Sequence, residues 1–404
     1  VAKACEYHLV NGTGMVLRWR GRGQGAPWVL MAHYDVVPAM ESGWNRPPFS
    51  GDLQGGYVHG RGALDTKGTL AAMLQAAETL IGEGFVPPRD VIFCFSGDEE
   101  SYGPTTPAIL RFLQQHDLFP GFVLDEGGKM DVAPLPGHGG LVALVGVAEK
   151  GLAQIELVVT GPGGHAARPP RQTQGDVLVR AMNRVRRRPW PLRLTRPVRE
   201  SLRTLCPACQ FPWQLMYRYP DAFQRVISRS FGRFDGEVAA LLRTTCALTQ
   251  LQGSAASNVL PDTVRAGYNL RLLPGDSPEE ARRRMLRLVR DKRVQVRLVT
   301  GNEPSPVSDT QGPGFASIRQ AVAAVWPQAL TAPALMVGAT DAYHYSLHSR
   351  NVYRFSPLMV SREVGATAHA ANERVPYEAL EEARLFYRAL LLGGAENIQT
   401  EEAQ

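Results

Sequence analysis

The chain has 404 residues, 44% hydrophobic and 20% charged, with 44 Lys+Arg against 38 Asp+Glu for a net charge of +6. Such a chain is globular and long enough for two domains with a large core, and no apolar run approaches the roughly 18 residues of a membrane-spanning helix. Five cysteines are too few, and odd in number, for a disulfide scaffold; the basic stretch 281–293 reads as a solvated helix face without the aromatics that stack bases, so nucleic acid is not an expected partner.

In chain order, residues 28–35 read as a buried strand that starts apolar (WVLMA) and ends in His33, Tyr34 and Asp35. Alternation would put His33 and Asp35 on one face. Residues 66–82 carry apolar residues at helical spacing behind Asp65. Residues 90–95 and 121–125 are short apolar strands, with a helix over 104–116 between them. Alternating strands and helices imply right-handed crossovers and a mostly parallel sheet. Ligands in such sheets bind beyond the carboxyl ends of the strands, and the acids gather there: Glu99 and Glu100 after one strand, Asp125 and Glu126 after another, with Asp65 opening a helix. Carboxylates so crowded need a cation among them.

The texture changes near residue 150. Strands are expected at 152–161, 244–253, 263–274 and 294–300, and helices at 176–185 and 278–291, with an irregular Pro/Arg-rich region from 186 to about 240. This pattern suggests an α+β layer, 151–300, inserted into a first domain made of 1–150 and 301–404. A last helix is expected at 378–391. Cys206-Pro-Ala-Cys209 has zinc-knuckle spacing without a second pair. His344 and His348 are four apart, but Tyr345 stands where a helical zinc motif needs Glu. The chain begins at Val1 without a signal-peptide pattern, as a trimmed N-terminus would, so the compartment is not legible.

Seven ordered stretches carry a resemblance: MAHYDVVP (31–38), GRGALDTKG (60–68), DEE (98–100), LDEGG (124–128), TGPGGHAARPP (160–170), SNVLPDTVRAGYNLRL (257–272) and AHAANE (368–373). Together they resemble the di-zinc aminoacylase/carboxypeptidase metallopeptidase family, which includes carboxypeptidase S, carboxypeptidase G, aminoacylase and succinyl-diaminopimelate desuccinylase. The LDEGG and VAEKG stretches look nearest the carboxypeptidase S and N-fatty-acyl-amino-acid synthase/hydrolase branch.

The resemblance implies an α/β zinc-exopeptidase-like catalytic domain with a ferredoxin-like lid and dimerisation insert. It implies two zinc ions (or cobalt or manganese), with His33 on one, His369 on the other and Asp65 between them. Glu100 completes one site. Asp125, which closes its strand, is preferred over Glu126 for the other. Asp35 would accept a hydrogen bond from the free ring nitrogen of His33, fixing its tautomer. Glu99 would be the general base in the attack of a metal-activated water. A cis peptide is expected at Asp65–Thr66. In a homodimer, His165 would reach the partner's site, while Asn258 and Arg271 hold the substrate carboxylate. The implied reaction is cleavage of the amide of a peptide or N-acyl amino acid with a free carboxylate. The alternative is a dimeric metal-binding module without catalysis, which intact Glu99 and both histidines oppose. In such relatives a longer N-terminal segment carries a helix; only 32 residues precede His33 here.

Overall fold

The computed structural model describes residues 1, 3–40, 42–232 and 236–396. Its principal sheet has nine strands. The central strand Trp28–His33 runs parallel to Val91–Ser96 on one side and Phe122–Asp125 on the other. Val352–Arg354 continues the sheet in parallel from Phe122–Asp125, and Leu330–Met336 runs parallel to Leu141–Glu149 farther out. Every residue of Trp28–His33, Val91–Ser96 and Phe122–Asp125 is buried. Such runs are apolar throughout because helices cover both faces of a parallel sheet.

The helix Gly68–Gly82 and the long C-terminal helix Tyr377–Glu396 lie together against this sheet, with Met73, Ala76 and Leu80 of the first fully buried. Gly68 makes this approach possible, since a Cβ there would meet the Ala63 carbonyl oxygen at 2.4 Å and Leu380 at 3.0 Å. Residues 6–19 form an antiparallel hairpin on the sheet edge, Glu6–Val10 against Gly14–Trp19.

A second sheet of four antiparallel strands is built from Thr245–Gln252, Thr263–Leu272, Gly151–Thr160 and Val294–Asn302, in that spatial order. Helices Gln174–Arg186 and Pro278–Val289 pack on it around Ile155, Ala181, Leu270 and Met285. Both begin with capping boxes, Thr173 with Asp176 and Ser277 with Glu280, so two orphan amides at each start are satisfied.

The irregular region expected over 186–240 is instead largely helical: Arg196–Leu205, Trp213–Arg218, Gln224–Phe231 and the single turn Glu237–Ala240. Prolines at 189, 191, 197, 207, 212 and 220 keep each piece short, and Pro197 sits in the first turn of its helix, where it is tolerated. These helices pack against the principal sheet through Leu202, Leu205, Tyr217 and Phe231 beside Ala332 and Leu335. Cys206 and Cys209 are buried there, their thiols donating to the Gln214 and Leu205 carbonyls.

Candidate metal centre

The strand Trp28–His33 stops at His33, whose side chain is buried at 2% exposure. Its Nε2 lies 3.1 Å from Asp65 Oδ1, 3.2 Å from Glu126 Oε1 and 4.0 Å from Glu99 Oε2. The other oxygen of Asp65, Oδ2, lies 2.8 Å from His369 Nε2, which in turn is 3.1 Å from Glu100 Oε1. One carboxylate thus faces two imidazoles with one oxygen each. Among the described residues, the sets of donor atoms that converge are His33 with Asp65 and Glu100, and His33 with Glu99 and Glu126.

Local backbone produces this convergence. Asp65 follows a turn in which Gly62 has φ 85°, and a Cβ at Gly62 would strike Val36 at 2.6 Å. The Asp65–Thr66 peptide is cis. Asp35 lies just past its strand rather than on it. Its carboxylate accepts from the amides of Glu99 (3.2 Å) and Glu100 (3.1 Å). His33 Nδ1 is therefore closest to the Asp35 main-chain oxygen at 3.0 Å, with the carboxylate at 3.4 Å.

Asp125 is the expectation the structure corrects. It closes its strand, yet its carboxylate turns away and accepts from the Glu126 amide (2.9 Å) and the Ala342 amide (2.7 Å). Glu126, one residue beyond the strand, faces His33. The ladder holds the last strand residue in its alternation, whereas the next residue is free to swing toward the cluster.

Burial and neighbouring charge perturb these groups strongly. Burial, then the Glu126 carboxylate, pushes Glu99 up to about 9. Burial also raises Glu126 to about 8 against the opposing pull of His33. Burial alone would lower His33, but its hydrogen bonds to Asp65 and Glu126 prevail and raise it to about 12. For Asp65, burial is outweighed by His33, and the carboxyl sits below its ordinary value. Imidazoles and carboxylates converging in this way fit divalent cations of the zinc type, whose charge relieves the crowding that raises these acids.

The cluster opens onto a cleft of about 1060 Å³. Apolar residues are among those that line it, including Met130, Leu141, Met336, Leu358 and Val360, and Arg271 and Thr340 also border it. The other two expected substrate and lid residues lie elsewhere. His165 and Asn258 are exposed and adjacent on a two-stranded ribbon, Gly164–His165 paired with Val259–Leu260, where the Ala166 amide donates to the Asn258 carbonyl. They are outside the residues lining the cleft.

Sequence reasoning missed three supports. Asp341, in ATDA, accepts from Ser96 and from Thr106 (2.7 Å) beside the Ala342 amide that holds Asp125. Glu149 and Arg354 form a fully buried ion pair at 2.6 Å, and Glu149 also accepts from the Thr340 hydroxyl at 2.8 Å. Glu373, within AHAANE, binds the loop that carries Asp65. Glu149 and Glu373 lie inside stretches that carry the resemblance, VAEKG and AHAANE, without their partners being visible there; nothing local marks Asp341 or Arg354.

The sequence profile of peptidase family M20/M25/M40 matches residues 29–393. Human N-fatty-acyl-amino acid synthase/hydrolase PM20D1 is 34% identical over 359 residues, spanning 88% of this chain and 71% of that protein. Probable carboxypeptidase S-like 2 of Dictyostelium discoideum is 31% identical, spanning 97% and 76%, and carboxypeptidase S of Saccharomyces cerevisiae is 27% identical, spanning 93% and 73%. In fold, the chain is similar to the M20 family metallo-carboxypeptidase Sso-CP2 of Sulfolobus solfataricus, with a TM-score of 0.66 at 17% identity over 96% of this chain and 89% of that one. It is also similar to the Bacillus subtilis YXEP protein, a dinuclear metal binding peptidase of the M20 family, with a TM-score of 0.57 at 15% identity over 98% and 89%. The chain belongs to peptidase family M20/M25/M40 and is a hydrolytic enzyme of the metallopeptidase and amidohydrolase kind.

Proposed function

We propose that this enzyme hydrolyses the amide joining an acyl or peptidyl group to an amino acid whose carboxylate is free. The observation that carries the reading is Asp65, with one oxygen 3.1 Å from His33 and the other 2.8 Å from His369. In this reading His33, Glu126 and Asp65 hold one zinc ion, and His369, Glu100 and Asp65 the other. Two such ions, when bound, supply Lewis acidity that polarises the amide carbonyl and lowers the pKa of water.

Glu99 is the general base. It borders the cleft 4.0 Å from His33 Nε2, farther than Asp65 at 3.1 Å or Glu126 at 3.2 Å. It takes a proton from the attacking water and passes it to the departing nitrogen. Asp35 holds His33 through its carbonyl oxygen and the Glu99–Glu100 turn through its carboxylate, so one residue orients ligand and base together. Arg271, on the border of the cleft, is the fork for the substrate carboxylate. The apolar lining residues receive the acyl or peptidyl side. The names of the human relative and of carboxypeptidase S both concern bonds to an amino acid, which supports this polarity.

The enzyme acts as a homodimer in which His165 and Asn258 complete the partner's site. Their exposure on a ribbon away from their own cleft supports this, as does the exposed edge strand Thr245–Gln252 with Leu248 and Leu251 uncovered. A hydrolysis screen over N-acyl amino acids and dipeptides, with added zinc, cobalt or manganese, tests the proposal. Turnover restricted to substrates with a free carboxylate is expected; equal turnover of the corresponding carboxamides would contradict it.

A further inference from the structure

We infer that Glu373 is the positioning residue of the bridging carboxylate, fixing Asp65 through its backbone; the inference rests on reading the cluster as a two-metal site. Glu373 is fully buried, at 0% exposure. Its four hydrogen bonds all go to the turn that delivers Asp65. Oε2 accepts from Arg61 Nη1 at 2.5 Å and the Gly62 amide at 3.1 Å. Oε1 accepts from the Leu64 amide at 2.8 Å and the Asp65 amide itself at 3.2 Å. The Glu373 carbonyl accepts a further bond from the Gly60 amide at 2.9 Å.

A carboxylate has about four acceptor positions and no donor, and here it meets four donors, two on each oxygen. The match explains why the residue is Glu. In glutamine, the amide NH2 would face two N–H groups on whichever oxygen it replaced. The charge is balanced by Arg61, 7% exposed, whose guanidinium also stacks over the Trp44 ring at 5.3 Å.

The connection links two distant parts of the site. His369 and Glu373 share one short segment, so the stretch that supplies one histidine also grips the loop that supplies the bridge. That segment is anchored independently: the Asn372 side chain accepts from the Asn45 amide at 2.7 Å and donates to the Gly43 carbonyl at 3.1 Å. His369 and Asn372 both have φ near +60°, so the strap is shaped tightly around these contacts. A strut serving stability alone has no need to accept from the amide of Asp65. Because Asp65 serves both ions, displacing it weakens both together.

Zinc binding to the purified full chain, measured by chelator competition with cobalt(II) absorption as a second readout, tests this. Glu373→Gln is expected to bind both ions about 10- to 100-fold more weakly than the parent and to change the cobalt spectrum, with the far-ultraviolet circular dichroism preserved. Arg61→Lys keeps the cation but loses the planar fork, and a loss at the lower end of that range, about tenfold, is expected. A folded variant that binds two zinc ions within threefold of the parent overturns the inference. If Glu373→Gln does not fold, Arg61→Lys decides alone. A parent chain that fails to bind two zinc ions overturns the two-metal reading itself, and the inference with it.

Discussion

Glu99 and Glu100 are consecutive in sequence, yet they serve different neighbours. Their amides both donate to Asp35, which fixes the turn. Glu100 then reaches His369, while Glu99 stays 4.0 Å from His33 at the cleft. Glu99→Gln should keep both metal ions and lose about 10²- to 10⁴-fold in turnover, the span typical of a general base. Steady-state kinetics within tenfold of the parent would remove Glu99 from that role. The raised acids predict proton-linked metal binding. In chelated protein, Glu126 titrates near 8 and His33 is held protonated, near 12. Both must lose their protons to become ligands. Zinc affinity should therefore tighten by at least roughly tenfold per pH unit between pH 6 and 8. Chelator competition at several pH values checks this, and a flat profile would contradict it. At this scale motif order brings residue types together but does not give the direction in which a side chain turns. His33, Asp65, Glu99, Glu100 and His369 were legible from motif order, and they converge. A strand end is visible in sequence and points to Asp125, whereas which of two adjacent acids turns inward depends on the Ala342 amide, 217 residues away.

The elements that position the site are the long, strongly patterned ones. The strands ending at His33, Ser96 and Asp125 are legible within a few residues because burial on both faces makes them continuously apolar, and the helix Gly68–Gly82 because its apolar residues recur at helical spacing. Two kinds of element escaped. The N-terminal hairpin turns at Asn11-Gly12, both with positive φ (51° and 78°), and Asn-Gly between apolar alternations is a hairpin signal that was available. The helices between 196 and 240 run 4 to 10 residues, too short for a periodic pattern to stand out, and their packing on the sheet is a tertiary fact. The same holds for the Glu149–Arg354 pair. It joins the end of Leu141–Glu149 to the end of Val352–Arg354 and holds Thr340 at the cleft. Arg354→Met should cost about 3–5 kcal/mol, because it strands a buried carboxylate. Urea denaturation of the chelated protein measures this, and a loss below about 1 kcal/mol would mean the pair acts no more strongly than a surface one.

On the scale of the molecule, two sheets divide the labour: strands of the nine-stranded sheet end at His33 and just before Glu126, while the four-stranded sheet carries Arg271 and runs on into the ribbon that presents His165 and Asn258. If that ribbon serves a partner, a subunit carrying Glu99→Gln and one carrying His165→Ala complement each other. Each variant alone should be nearly inactive with its metal content intact. Mixed and re-associated in equal amounts, they should recover about a quarter of parental activity, since half of the two-fold dimers then hold one complete site. No recovery in a mixture shown to contain hybrid dimers would place His165 outside the mechanism.

The proposed bridge through Asp65, whose two oxygens face His33 and His369, is the feature on which the other assignments depend. Anomalous diffraction from zinc-loaded crystals tests it directly. The expected result is two zinc peaks roughly 3.5–4 Å apart, with one Asp65 oxygen on each, His33 and Glu126 on the first ion, and His369 and Glu100 on the second. A single ion at full loading, or two ions neither of which touches Asp65, would contradict it.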